Sequence, residues 1–591
     1  MNINKLSVLF LVLLLIVSSC TKKKNSNEKV LNLVSTNKVK GMDPIYANDL
    51  YSSREVGRVY ESLLEYHYLK RPYVLKPNLA ESMPKVSSDG LTYTFKIKKG
   101  VYFHDDVSFP GGKGRELVAS DFVYSIKRLA DPKLQGLGWW LLDGKLAGLN
   151  KWRKENATKA KVDYKEEVEG LKALDKYTLQ FKLAKPFPQF LYSLAMTFTS
   201  AVAKEVVDHY GKEFLNHPVG TGAFVLPVFK QGNRIVYTKN LKFRNKTYPC
   251  DASEEFNNSV FLADCGKKLP LVDKLIINIV IEDQPRWLNF KRGKFDWVSV
   301  PKDNFQSAIP DSKNLSAEFS SKGVTLLVSP SLDVTYTAFN HDMKLLQNVK
   351  LRRAMMMAFD ITKSNKLFFN STALPAQSIV PPGIAGYDKN YKNPYKNYGT
   401  AEMVTKAKAM LAEAGYAGGK GLPEITYDTV SSTVGRQGGE YLKKQMAKVG
   451  INIKVVQNTW PELQKKITNR NIMLYGIAWS ADYPDAENFL QLLYGPNKAP
   501  GANGSDYDNP VFNSLFKKAA VMQDSPERTA IYEKLNRMAA ELVPLIYGVH
   551  RQTFVVKQGW IKNFVNTDFE QGRAQYLNID LKNKEEMLKK F

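Results

Sequence analysis

From Leu91 to Ile97 the chain alternates apolar and polar residues at every step, and Tyr177 to Leu183 repeats the pattern. A period of two turns one face of a segment to a core and the other to water, so both stretches are expected to be strands. The second ends ahead of Pro186 and Pro188, residues that cannot donate to a sheet ladder. Lys274 to Ile281 is denser, with Leu275, Ile276, Ile277, Ile279 and Val280, the content of a central strand covered on both faces. Between Ala401 and Ala414 the period changes: Met403, Ala407, Met410, Leu411 and Ala414 recur at helical spacing. Glu402 stands in the first turn of that helix and Gly415 follows where a left-handed cap is needed. Strands and helices keep alternating and no solenoid period appears, so the fold class is α/β. A chain of 591 residues exceeds what one hydrophobic core serves, and more than one lobe is expected.

The N-terminus carries Lys5 and then a twelve-residue apolar run, Leu6 to Val17. Spanning a bilayer takes about 20 such residues, so the run reads as the core of a signal peptide. It ends in Val17-Ser18-Ser19-Cys20, an aliphatic residue and two small ones before a cysteine. That string resembles the lipobox of bacterial lipoproteins, in which cleavage leaves a diacylated cysteine, here Cys20; the alternative is a plain secretory signal. Thr21 to Lys29 is polar and aperiodic, a tether whose lysines either stay solvated or touch anionic headgroups. No other stretch reaches membrane-spanning length without charge.

The formal net charge of +26 invites a nucleic-acid partner. The Lys and Arg residues are spread along the whole length, however, with no basic stripe and no recognisable module, and that partner is set aside. Cys250 and Cys265 bracket fourteen polar, loop-like residues. In an oxidising compartment a disulfide pinning that loop is expected; a metal site is the alternative, but two cysteines without a nearby His pair are too few ligands.

A set of short strings in order points to a family. It opens with Met42-Asp43-Pro44, Tyr60-Glu61-Ser62-Leu63-Leu64 and Pro77-Asn78-Leu79-Ala80-Glu81-Ser82. Asp89 to Phe95, Lys99 to His104 and Asp121 to Ser125 follow, then Pro218 to Phe224, Leu351 to Ala354 and Ala358-Phe359-Asp360. Ala407 to Tyr416 and Trp479-Ser480-Ala481-Asp482-Tyr483-Pro484-Asp485 close it. Together these resemble the family 5 solute-binding proteins of ABC importers, the oligopeptide- and dipeptide-binding group, over about residues 30 to 570. Asp143 to Lys165 and the cysteine loop stand out as insertions.

The resemblance implies a periplasmic-binding-protein type II fold, two lobes joined by a hinge with an additional inserted domain. Lobe one would be assembled from 31–66, 200–329 and 549–591, the additional domain from 67–199, and lobe two from 330–548. The leader would occupy 1–19 and the tether 20–30. Ligand would bind between lobes that close over it, shifting the hinge equilibrium by its differential affinity, and a membrane permease would read the closed shape. A monomer at the extracytoplasmic side of a membrane is implied, with no cofactor.

The resemblance also implies site residues. Asp482 matches the aspartate that pairs with a ligand α-amino group; a turn or cap residue is the alternative. Asp485, directly before Ala486 to Leu490, fits a cap. Ala478 and Ser480 match positions whose backbone pairs with a peptide as an added strand, a mode that ignores ligand side chains. Trp479 and Tyr483 would line side-chain pockets or serve packing. Leu50 and Tyr547 are expected on the opposite cleft wall. Gly476 stands where some relatives place a basic residue for the ligand C-terminus, and Ser480 where some have a cysteine. Relatives bind nickel complexes, sugars and opines, and a peptide sensor without transport duty is a further alternative, so the ligand is not fixed by the family.

Enzyme readings find little support. The six histidines form no His-Glu-x-x-His spacing and no Gly-x-Ser-x-Gly elbow occurs. His104-Asp105-Asp106, Gly111 to Gly114 and Gly220-Thr221-Gly222 read as turns, and Met355-Met356-Met357 as helix core.

Overall fold

The computed structural model describes residues 27–499, 501–569 and 572–591, so the leader, Cys20 and the lysine-rich part of the tether lie outside the described residues. Near the start of the described residues the Lys29 N–H donates to Asp273 at 2.9 Å, and the first described strand is Val30–Ser35.

Among the described residues four sheets have three or more strands, beside three two-stranded ones. In the first, Val30–Ser35 lies parallel to Lys274–Ile279, followed by Arg234–Lys239 and Phe224–Lys230. Lys274–Ile279 has a partner on each side, as its dense apolar content requires. The second sheet is antiparallel: Lys85–Val86, Thr92–Lys96, Thr178–Lys182 and Leu171–Asp175. Its two middle strands are the alternating segments, with Tyr93, Phe95, Leu179 and Phe181 turned into the core. The third consists of Trp297–Ser299, Gln552–Lys557 and Thr325–Pro330. The fourth has five strands in the order Ile453–Asn458, Ile425–Val430, Leu474–Ser480, Asp333–Phe339 and Leu545–Tyr547. The expected helix is Ala401–Glu413, capped by the Thr400 side chain, and Gly415 takes the left-handed conformation.

One continuous hydrophobic core runs through the first two sheets, and a separate one fills the lobe around the five-stranded sheet. Met355, Met356 and Met357 are buried in that second core. Tyr66 packs against both cores, and Tyr192 stacks on Tyr483 with centroids 5.6 Å apart and planes 3° from parallel. The two lobes therefore touch.

The chain passes between lobes twice, side by side. The first passage is Ser331–Leu332, between Thr325–Pro330 and Asp333–Phe339. The second is at Arg551, just before Gln552–Lys557. It falls past the boundary expected at 548, because Val549–His550 still pair with Leu374–Pro375 of the second lobe. Asp333 ties the passages together: one carboxylate oxygen accepts from the Arg551 N–H at 2.9 Å and the other from its Nε at 2.5 Å.

The two insertions are tied down. Residues of the first form the helix Leu149–Ala157, with Trp152 buried and Lys127 donating to Tyr164 O. Cys250 and Cys265 are joined, and their loop is clamped by Asp251 to Lys70 at 2.6 Å. At its other end Asp264 accepts from Asn563 and Asn578.

Candidate functional site in the cleft between the lobes

Leu474–Ser480 runs antiparallel to Asp333–Phe339 along its full length, from Leu474 opposite Phe339 to Ser480 opposite Asp333. On its other side it meets Ile425–Val430 only at Leu474 and Tyr475. From Gly476 to Ser480 that edge has no strand beside it among the described residues. Half the backbone N–H and C=O groups of this segment consequently point at an open space, the condition for accepting an added strand.

Just past the end of this edge stands Asp482, a half-buried carboxylate. Asn488, fully buried, donates from Nδ2 to Asp482 Oδ2 at 3.0 Å. Its Oδ1 accepts from both the Asp482 N–H and Trp479 Nε1, each at 3.0 Å. No cation pairs with Asp482 among the described residues. Burial pushes its carboxyl up to about 6, and only the Asn488 hydrogen bond opposes the shift. Glu487, nearby, is likewise pushed up by burial to about 7, with its carboxylate accepting from the Tyr483 hydroxyl at 2.5 Å.

A cavity of about 490 Å³ opens between the lobes beside this edge. Ser480, Ala481 and Asp333 line it from the second lobe; Leu50, Trp297 and Thr553 line it from the first. Leu50 is 54% exposed and does face Ser480 across the cavity, at the start of the helix Leu50–Val59. Asp568 closes one end. It accepts from the Leu332 N–H and from the Tyr73 hydroxyl, and Tyr73 continues into an edge-on contact with Phe569 and a stack of Phe569 on Tyr66.

Tyr547 lies elsewhere than the resemblance implied, while Tyr483, Trp479 and Asp485 take the packing or capping roles that the sequence also allowed. Tyr547 is not on the opposite wall: it is fully buried in the second lobe's own core, on the strand Leu545–Tyr547, with its hydroxyl donating to Ala539 O. Strand alternation places it opposite Tyr336, an inward position, and that buries it. Tyr483 is buried against Tyr192, and Trp479, paired with the fully buried Val334, has its indole N–H committed to Asn488. Asp485 serves structure, accepting from the Glu487 N–H at 2.8 Å and pairing with Arg528 at 2.8 Å.

The sequence reading missed Asn488, Asp333 and Arg551. Asn488 lies six residues past Asp482 in the same segment and carried a weak signal, an amide among Phe and Leu residues. Asp333 and Arg551 carried none, since their pairing spans more than two hundred residues.

A family model described as "Bacterial extracellular solute-binding proteins, family 5 Middle" matches residues 74–501. The chain belongs to that family. Among curated relatives it is 26% identical over 498 residues to the di/tripeptide-binding protein 2 of Pseudomonas aeruginosa, covering 81% of each chain. It is also 26% identical to heme-binding protein A of Haemophilus influenzae, over 88% of this chain and 87% of that one. Among solved structures it resembles the periplasmic binding protein DppA of Helicobacter pylori in complex with the peptide STSA. That match has a TM-score of 0.72 and 25% identity, over 93% of this chain and 98% of that one. The family's two-lobed type II fold accordingly describes this protein, and the cavity lined by Ser480 and Ala481 lies between its lobes.

Proposed function

We propose that this family 5 protein is the peptide-capturing receptor of an ABC importer, held to a membrane by lipid on Cys20 and handing ligand to a permease. The observation that carries the reading is the pairing of Asp482 with the open Gly476–Ser480 edge. A half-buried carboxylate with no cation of its own is costly, and a ligand ammonium in a closed cleft needs such a partner. A free strand edge running away from that point offers main-chain hydrogen bonds to whatever extended chain the ammonium begins. Amine and backbone are what every peptide has in common, so a site of this kind takes peptides of mixed sequence. Arrival of ligand adds contacts from both walls and favours the closed arrangement by that differential affinity. The role is one of binding, without a catalytic step.

Native mass spectrometry of the protein purified from Thr21 onward tests this, with ligand released by denaturation and identified. Short mixed-sequence peptides, lost in Asp482→Ala, are expected. A single non-peptide mass retained in Asp482→Ala would overturn the amine role and with it the peptide reading.

A further inference from the structure

Beyond Gly476 the open edge leads to a second recess, separate from the cavity beside Ser480. It has a volume of about 200 Å³ and lies between the five-stranded sheet and the helices Ile361–Phe369 and Thr433–Ala447. Its walls are Phe359, Phe368, Phe369, Tyr441, Val434 and Ile477, with threonines and glycines between them. No Asp, Glu, Lys, Arg or His lines it. Thr335 Oγ1 donates to Val549 O and accepts from the Val549 N–H, and the Tyr441 hydroxyl donates to Asp360 O. An apolar cavity of about 150 Å³ holds a benzene ring, so this one has room for one large apolar side chain.

Register says which ligand residue meets it. Thr335 pairs with Ala478 and Thr337 with Gly476, so all four share the sheet face that the recess covers. A ligand strand laid antiparallel to Leu474–Ser480, with its first residue level with Ser480 and its ammonium turned to Asp482, advances about 3.3 Å per residue. Its fourth and fifth residues then come level with Ile477 and Gly476, which line the recess, with their side chains directed to opposite faces in alternation. Gly438, on the helix wall, has free space before it: a Cβ there would meet nothing within 4 Å. The other lobe reaches one wall of the recess, since the Lys302 ammonium lies over the Phe368 ring at 5.8 Å from its centroid.

We propose that this recess is a specificity pocket for a large apolar or aromatic side chain at the fourth or fifth residue of the ligand, so that the preferred ligands are peptides of at least four residues. The inference rests on the reading of Asp482 as the amine partner.

Calorimetry on the ligand-stripped protein decides it, using tri-alanine, penta-alanine, and penta-alanines with Phe at position four or position five. One Phe peptide is expected to bind about tenfold or more tighter than penta-alanine, as burial of a ring in an apolar pocket implies. Gly438→Leu, which fills the recess from an open helix position, is expected to erase that preference and leave tri-alanine binding unchanged. A melting curve for Gly438→Leu matching the wild type separates pocket filling from misfolding. Equal binding of all three pentapeptides by the wild type, or a preference that survives Gly438→Leu, overturns the pocket while leaving Asp482 untouched. No binding of any peptide by the wild type, or affinities unchanged by Asp482→Ala, overturns the amine reading and the pocket together.

Discussion

Asn488 holds Asp482 at two points, its Nδ2 donating to the carboxylate and its Oδ1 accepting the backbone N–H of the same residue. The carboxylate is thereby fixed in direction while remaining short of a positive partner, and burial leaves its pKa at about 6 in the ligand-free protein. On the proposed reading, ligand ammonium binds the ionised form. Affinity for peptides is therefore expected to be flat above pH 6 and to fall about tenfold per unit below it, by one-proton linkage. Asp482→Asn should remove the pH dependence along with most of the affinity. Titration calorimetry between pH 4.5 and 8 checks both.

The same shift has a stability consequence of opposite sense. The folded-state pKa lies above the value of about 3.9 in an unfolded chain, so between those two values the folded state holds a proton that the unfolded state has lost. Stability of the ligand-free protein falls as pH rises through that window, and the cost is complete above about 6. Asp482→Asn, close in shape and never charged, should stabilise the empty receptor at pH 8 by about 1 kcal/mol and not at all below pH 4. Denaturant unfolding of the two proteins at pH 8 and at acid pH measures the difference. A binding residue that destabilises its own empty fold is what a site awaiting a cation should show.

How much of this was legible in the sequence follows from where each signal lives. The two alternating segments and the dense Lys274–Ile279 strand were visible because period two and apolar density are local properties. Asp482 was visible because a short motif carries it. Tyr547 was misplaced because whether a strand residue faces a cleft or a core depends on its register against Asp333–Phe339, which no local pattern reveals. The hinge pair was invisible for a related reason: Asp333 and Arg551 meet only after the whole second lobe has folded between them.

Asp333 is 3% exposed and burial raises its pKa, with Arg551 as the opposing influence. Arg551→Gln leaves that carboxyl with a backbone donor alone. A loss of about 1–3 kcal/mol is expected, the range for a buried polar group deprived of its partner. Asp333→Asn in the Arg551→Gln background should recover part of it, so the double-mutant cycle should show coupling above about 0.5 kcal/mol. Because the pair joins the two interlobe passages, small-angle scattering should also show the ligand-free Arg551→Gln protein more open than the wild type.

The disulfide between Cys250 and Cys265 spans a sequence separation of 15. Loop-closure entropy for a loop of that length contributes about 3 kcal/mol. Cys250→Ser with Cys265→Ser is expected to lose an amount of that order. The loop's ties to Lys70, Asn563 and Asn578 lie away from Asp482, so peptide affinity should hold. Unfolding with and without reductant checks the first expectation, and calorimetry the second.

Gly476 marks the point at which the open edge begins, and its neighbour explains the residue. A Cβ at this position would stand 2.0 Å from the Tyr427 hydroxyl oxygen, an approach that real atoms do not make. Tyr427 cannot simply swing aside, because it is only 8% exposed. A basic side chain at 476 is therefore excluded by packing, whatever ligand the cleft takes. Gly476→Ala should destabilise the protein by about 1–3 kcal/mol, as overpacking in a filled interior does. Tyr427→Phe removes the clashing oxygen and should recover much of the loss in the double variant. If Gly476→Ala is neutral, or Tyr427→Phe gives no recovery, the hydroxyl is not what keeps position 476 bare.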